Sequence, residues 1–358
     1  MTLQTKALMK KITILLFFCI ILCNGIFAQR DSIYNIQYFS TIPKISIRAL
    51  EVLSDSKVWF AANHGVWGYT EDAGKSWHID SIKVETLYPQ FRSIAVLNDS
   101  TVLLLSIESP AYLFKTTNKG KTWRMVYKNT SKDIFFDCMK FYDKKRGIAL
   151  GDPIDGCMQI IKTEDGGETW KQMDCANFPK AEQGEGCFAS SNSNIVVHGK
   201  HIWFATGGMR SRVFHSSDSG KHFETFNSPL PQGEEMTGIY SIDFFNEAIG
   251  AIAGGHYDKT DSSYVNLAIT RDEGKTWIPV KINKPFFGSC IQFKSSDELF
   301  VTGMKGTISY NLKSDKIIEL KDKSNQSLKF HTLRISPSGK TLWLAGSNGS
   351  IALINLNK

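Results

Sequence analysis

What this sequence has little of narrows the fold first. Proline occurs 10 times in 358 residues, against 28 glycines and 23 phenylalanines. That balance favours many short strands joined by glycine turns. No run of five Lys or Arg occurs, and the formal charge of +7 is spread evenly. Nucleic-acid binding therefore has no basis. The apolar share of 42% is too high for a disordered chain, and the lack of repeated long apolar runs excludes a polytopic membrane protein. Cys-x-x-Cys spacing and paired His spacing are both missing, so no metal is expected. No G-x-G-x-x-G opens a helix and no haem or iron–sulfur motif appears, so no redox cofactor is expected either.

The N-terminus reads as a leader. Lys6, Lys10 and Lys11 precede Ile12 to Cys23, which is apolar but for Thr13, and Ala28 offers a small residue before Gln29. This is the pattern of a secretory signal over residues 1–28. The apolar stretch falls short of the about 20 residues a spanning helix needs, so no stable membrane span is expected. Loss of the three leader lysines takes the formal charge from +7 to +4. The destination is the periplasm or the exterior, as a monomer. Five cysteines then remain: Cys138, Cys157, Cys175, Cys187 and Cys290. An exported protein can carry disulfides. Cys157 and Cys175 flank one hairpin turn symmetrically and are the candidate pair.

One pattern recurs five times. It reads Thr70-Glu-Asp72-Ala-Gly74-Lys-Ser76-Trp77, and returns around Asn118 and Gly120, Asp165 and Gly167, Asp218 and Gly220, and Asp272 and Gly274. Its aromatic ends, Trp77, Trp123, Trp170, Phe223 and Trp277, are 46, 47, 53 and 54 residues apart. Repeats of that period mean a propeller, solenoid or array. The Asp or Asn side chain can bond nearby backbone N–H groups, and Gly takes a conformation other residues resist. The aromatic is large enough to pack between neighbouring sheets. Asp72, Asn118, Asp165, Asp218 and Asp272 are therefore structural turn residues, the mark of an Asp-box or BNR repeat.

Each copy is preceded by strand-like runs, for example Arg48 to Leu53, Lys57 to Ala61 and Val66 to Tyr69. With the strand after the turn, each unit makes a four-stranded blade. Two further units follow without a good box, from Gly288 and from Phe330. The last lacks a fourth strand, which Ile33 to Phe39 can supply. The fold class is all-β, a seven-bladed propeller, with six blades if the last units merge. The domain plan is a leader over 1–28, a closing strand within 29–44 and the propeller over 45–358.

Beyond the boxes the chain resembles the exported BNR/Asp-box propellers related to the photosystem II stability/assembly factor family. The resemblance rests on Phe135-Phe-Asp137-Cys-Met139, Gly147 to Pro153, Gly184-Glu185-Gly186-Cys-Phe188, Ala205 to Val213 with Gly207 and Gly208, and Gly254-Gly255-His256-Tyr257. It implies a seven-bladed propeller with an assembly or binding role, related in shape to WD40/YVTN-like rings. Many bacterial members carry the label "oxidoreductase" or "glycosyl hydrolase", and nothing in the residues supports the former.

Propeller geometry places a candidate mouth on the face opposite the boxes. Inner strands begin there at Arg48, Arg92, Asp137, Glu185, Tyr240, Ser289 and His331. The connections between second and third strands add Asp152, Arg210, Arg212, His256 and Tyr257. A concave site with a few convergent polar groups is the default binding site. Four arginines can grip a carboxylate or phosphate with paired bonds. The expected partner is a protein or a small polar or carbohydrate ligand. The alternative is a sialidase-like glycoside hydrolase with Tyr240 as nucleophile, although Phe91-Arg92-Ser93-Ile94 lacks the proline such enzymes carry after this arginine.

Overall fold

The computed structural model describes residues 32–40, 44–261 and 264–356, so the leader over 1–28 lies outside the described residues. Seven antiparallel sheets follow one another along the chain. Blade one comprises Ile47–Val52, Val58–Ala62, Val66–Thr70 and His78–Ser81. Blade two comprises Phe91–Val96, Val102–Ser106, Ala111–Thr116 and Arg124–Asn129. Blades three to six repeat the plan with inner strands Phe136–Phe141, Ile195–His198, Thr237–Phe244 and Cys290–Ser295. Blade seven takes Thr332–Ile335, Thr341–Ala345 and Ser350–Asn355 from the C-terminal end, and its outer strand is Ile36–Ser40 from the other end of the chain. Ile36 lies opposite Ile354 and Ser40 opposite Ser350. Ser32–Ile33 adds a short parallel strand to the outer edge of blade six. The ring is the all-β, seven-bladed propeller expected, without the merged, six-bladed form. A single 3-10 turn, Cys175–Asn177, is the one helical element among the described residues.

The core is divided as a ring of wedges must divide it. Seven apolar clusters occur, and each spans two neighbouring blades. One joins Trp59 and Trp67 of blade one to Phe91 and Leu104 of blade two. Another closes the circle by joining Trp343 and Ile351 of blade seven to Ile47 and Phe60 of blade one. Second strands are the most continuously buried, as in Val58–Ala62 and Val102–Ser106, because a neighbouring blade covers each face.

The five repeated turns show why their residues recur. In the first, Asp72 Oδ1 accepts from the Ser76 N–H at 2.9 Å, and Thr70 Oγ1 accepts from the Gly74 N–H at 2.9 Å. The same bonds appear around Asn118, Asp165, Asp218 and Asp272. The Ser76 hydroxyl and N–H hold the Asp72 carboxyl down at about 2. The glycine answers to two constraints. Gly120 has φ +81, and a Cβ there would lie 2.1 Å from the Trp67 ring of the preceding blade. Gly167 faces Leu103, and Gly74 faces Phe39, in the same way. Each turn is thus a contact with the blade before it. The aromatic pegs join that contact, with Trp123 5.1 Å from Trp67 and Trp77 6.3 Å from Trp343 between ring centroids.

Candidate functional site: a plugged channel and an acidic cleft

Four candidate residues share one backbone feature. The ladder between inner and second strands slips at Arg48, Arg92, Asp137 and Tyr240, each the extra residue of a β-bulge. A bulge re-aims a side chain that would otherwise lie in the regular alternation. Here it turns them towards the axis.

The axis is filled by the chain itself. Ala189 to Asn194 is buried throughout and bonds to the inner strands of the six other blades. Arg92 Nη1 donates to the Ala189 carbonyl at 3.0 Å, and Arg48 Nη1 to the Ser190 carbonyl at 3.4 Å. Ser190 Oγ donates to the Tyr240 carbonyl at 3.2 Å, and Ser191 Oγ to the Ser289 carbonyl at 2.5 Å. Asn192 Nδ2 donates to the Ile94 carbonyl at 3.0 Å, while its Oδ1 accepts from Ser93 Oγ at 2.5 Å and Cys138 Sγ at 3.3 Å. Arg334 Nη2 donates to the Asn192 carbonyl at 2.7 Å. These residues leave the candidate site and become a plug. Buried polar groups are tolerable only when bonded, and the Ser190, Ser191, Asn192 and Ser193 side chains meet that condition, while Asn194 Nδ2 has no hydrogen-bond partner among the described residues.

The expected cluster of four free arginines is accordingly not assembled. Arg48 and Arg92 are committed to plug carbonyls. Burial, then the charge of Arg48, lowers the Arg92 guanidinium to about 10. Arg212 forms a bidentate pair with Glu185, Nε to Oε1 at 2.9 Å and Nη2 to Oε2 at 2.6 Å. Arg210 points outward, to Asn227 Oδ1 at 2.8 Å and Glu182 at 3.4 Å. Glu185 does not open the inner strand of blade four, which is Ile195–His198. It lies in a two-residue strand, Glu185–Gly186, that pairs with Gly207–Gly208 and so joins the sheet of blade five.

The aromatic side of the mouth is a packed group. Tyr240 stacks on Phe188 at 3.9 Å between centroids, and its hydroxyl donates to the Met236 carbonyl at 2.9 Å. Burial, then Asp258, pushes the Tyr240 phenol far up, the opposite of an activated nucleophile. Tyr257 extends the stack at 6.3 Å. His256 Nε2 lies 3.0 Å from Glu234 Oε2.

Three groups, two in blade three and one in the segment after Glu185–Gly186, behave differently. Asp137 is fully buried, yet neither carboxylate oxygen has a hydrogen-bond partner. Burial, then Asp152, drives its carboxyl well above the usual range. Asp152 Oδ1 accepts from the Cys187 N–H at 2.6 Å, and burial pushes its carboxyl up to about 6. One ligand atom each from Asp137, Asp152 and Cys187 lies within 4.8 Å of the others. Sequence spacing showed no such set, because the residues come from two strands and a loop.

Asp152 and Cys187 also line a cleft of about 730 Å³. Its walls are Asp152, Pro153, Asp155 and Gly156, Lys180 to Phe188, Gly207, Gly208 and Glu235. Five carboxylates, Asp152, Asp155, Glu182, Glu185 and Glu235, face a single lysine, Lys180. Arg212 neutralises Glu185 and Arg210 lies against Glu182, so Asp152, Asp155 and Glu235 beside Lys180 leave the cleft with a modest excess of acid. The disulfide between Cys157 and Cys175, with Cα atoms 5.5 Å apart, ties down the segment beside it. It is not a rung of the hairpin ladder. The outer strand ends at Gln172, and Cys175 opens the 3-10 turn that follows.

No protein-family model and no curated protein matches the chain. Solved structures match in fold. "YCF48 bound to D1 peptide" aligns at TM-score 0.66 and 11% identity, over 91% of this chain and 99% of that one. "YCF48 from Cyanidioschyzon merolae" aligns at 0.65 and 13%, over 90% and 99%. "Crystal structure of RRP9 WD40 repeats" aligns at 0.63 and 12%, over 91% and 99%. At these identities the likeness is one of fold, the ring of seven blades.

Proposed function

We propose that this protein is an exported binding and assembly module that captures a basic segment of a partner polypeptide in the acidic cleft. The carrying observation is the plug. It ties six blades to one internal segment of chain and leaves a cleft of net acidic charge beside the filled axis. Rigid presentation lowers the entropic cost of capture, and a like-signed pocket steers a partner of opposite charge. The YCF48 propeller solved with a D1 peptide supports a polypeptide as the bound class. Three carboxylates without an ion-pair partner among the described residues, Asp152, Asp155 and Glu235, against Lys180 favour a Lys- or Arg-bearing segment over an anion gripped by arginines. Glycoside hydrolysis finds less support, since Arg48, Arg92 and Arg212 are already engaged and the Tyr240 hydroxyl serves Met236.

The test is charge reversal. Glu182→Lys and Glu235→Lys sit on exposed parts of the cleft wall and should leave the melting temperature unchanged. Binding of a fluorescent arginine-rich peptide should weaken more than tenfold at low salt, and an acidic peptide should bind neither form. Equal binding of the basic peptide by wild type and both variants would overturn the reading.

A further inference from the structure

We propose that Asp137, Asp152 and Cys187 form a binding site for a thiophilic divalent cation of the zinc class. The argument starts from the cost of Asp137. A carboxyl with no exposed surface and no hydrogen bond to either oxygen is among the most expensive groups a fold can hold. Among the described residues no Lys, Arg or His lies within ion-pair distance of it. Arg92, whose charge acts on Asp137, directs its Nη1 to Ala189 instead. The β-bulge that aims Asp137 inward keeps this costly arrangement in place.

The donors around it are those a cation needs. Asp152 comes from the adjacent strand, Gly147–Ile154, and Cys187 from the segment after Glu185–Gly186. All three ligand atoms fall within 4.8 Å. Bond lengths of about 2.0–2.3 Å to zinc set ligand atoms some 3–4 Å apart, so a small inward movement closes the set. Oxygen and thiolate donors together suit a borderline cation rather than calcium or magnesium, which take oxygen alone. The Cys187 N–H to Asp152 Oδ1 bond orients one ligand by the backbone of another, the supporting arrangement that metal sites use. Gly186 provides room, since a Cβ there would lie 3.0 Å from Asp152 Oδ1. Asp152 and Cys187 line the cleft, so a fourth position opens towards it. The site stands whether or not the cleft takes a polypeptide.

The experiment uses the full chain with the Cys157–Cys175 disulfide intact, stripped with a chelator, then titrated with Zn²⁺ and with Co²⁺. One equivalent of Zn²⁺ should bind. Co²⁺ should give a thiolate charge-transfer band in wild type and in Cys290→Ser, and none in Cys187→Ser. Asp137→Asn should weaken Zn²⁺ by more than tenfold. A second readout needs no variant: Zn²⁺ should slow alkylation of Cys187 in the wild type and leave Cys290 unaffected. A wild type without the cobalt–thiolate band, a band that survives in Cys187→Ser, or an alkylation rate indifferent to Zn²⁺ would overturn the proposal. Asp137→Asn that melts higher and binds Zn²⁺ as wild type does would also overturn it, and would show Asp137 to be a buried protonated acid.

Discussion

Arg334 carries its guanidinium from the inner strand of blade seven to 2.7 Å from the Asn192 carbonyl and 3.2 Å from the Ser191 carbonyl. The same group meets Cys290 Sγ of blade six at 3.2 Å. One fully buried charge thus links two blades to the plug. A buried cation is tolerable only with such partners, and its removal leaves them unsatisfied.

Arg334→Met should therefore destabilise the whole ring, by about 3 kcal/mol. Asn192→Ala should cost about as much, because it removes the acceptor of the Ser93 hydroxyl and the donor to the Ile94 carbonyl and places alanine at φ +56. Urea unfolding reads both. Losses below about 1 kcal/mol would mean that the plug is a passive passenger.

Gly120 and Gly233 separate two effects of a turn glycine. Gly120→Ala must meet both a positive φ and the Trp67 ring, whereas Gly233→Ala meets the positive φ alone, with nothing within 4 Å. The second should cost about 1 kcal/mol and the first clearly more, with loss of the Trp123–Trp67 contact in near-ultraviolet circular dichroism. Equal costs would mean that the turns do not lock one blade to the next.

The ring closes through Phe39. Its ring stacks on Trp343 at 6.0 Å and meets Trp77 at 6.2 Å, bridging blades seven and one. Phe39→Ala should lower stability by roughly 2–3 kcal/mol. Deleting residues 29–40 should lower the melting temperature of the single transition by several degrees, since it exposes the edge of Ser350–Asn355. A deletion variant that melts at the wild-type temperature would contradict closure.

Acid should act in two windows. His215 is buried, stacked on Trp203 at 4.7 Å and beside His201, and burial lowers it from 6.5 to about 4. Below 6.5 the unfolded chain gains a proton that the folded state refuses, so stability falls as pH drops towards 4, by up to roughly 3 kcal/mol. The turn aspartate Asp72, held at about 2 against 3.8, contributes above 3.8 and loses that contribution between 3.8 and 2. His215→Phe should reduce the slope of the upper window in a denaturation series, to which partly buried His331, lowered by burial to about 3, also contributes, and leave the lower one. An unchanged slope between pH 6.5 and 4 would show that His215 makes no contribution to it.

Local patterns carried most of the fold. The five turns, the continuously apolar second strands and the missing fourth strand of blade seven are all short-range features, and strand limits read from them fall within a residue or two of Ile47–Val52, Phe91–Val96 and Thr341–Ala345. The site was less legible, because its logic is long-range. Ser190-Ser-Asn-Ser-Asn194 has the composition of a surface loop, and only contacts with residues as distant as Arg334 make it an axis. Glu185 followed the expected spacing of an inner strand, yet the insertion before Ile195 placed it in the next sheet. The bulges at Arg48, Arg92, Asp137 and Tyr240 have no mark in the sequence, since none falls on a glycine. Charge was visible, but the pairing of Arg212 with Glu185 was not.

The central claim is that the acidic cleft, and not the face of the repeated turns, receives the partner. A photo-crosslinking residue placed at Gln183, which lines the cleft and is exposed, compares directly with one at Lys121, exposed on a turn. With an arginine-rich probe peptide, the account predicts an adduct from position 183, lost on Glu182→Lys, and none from position 121. An adduct from position 121 alone, or from both equally and insensitive to Glu182→Lys, would contradict it.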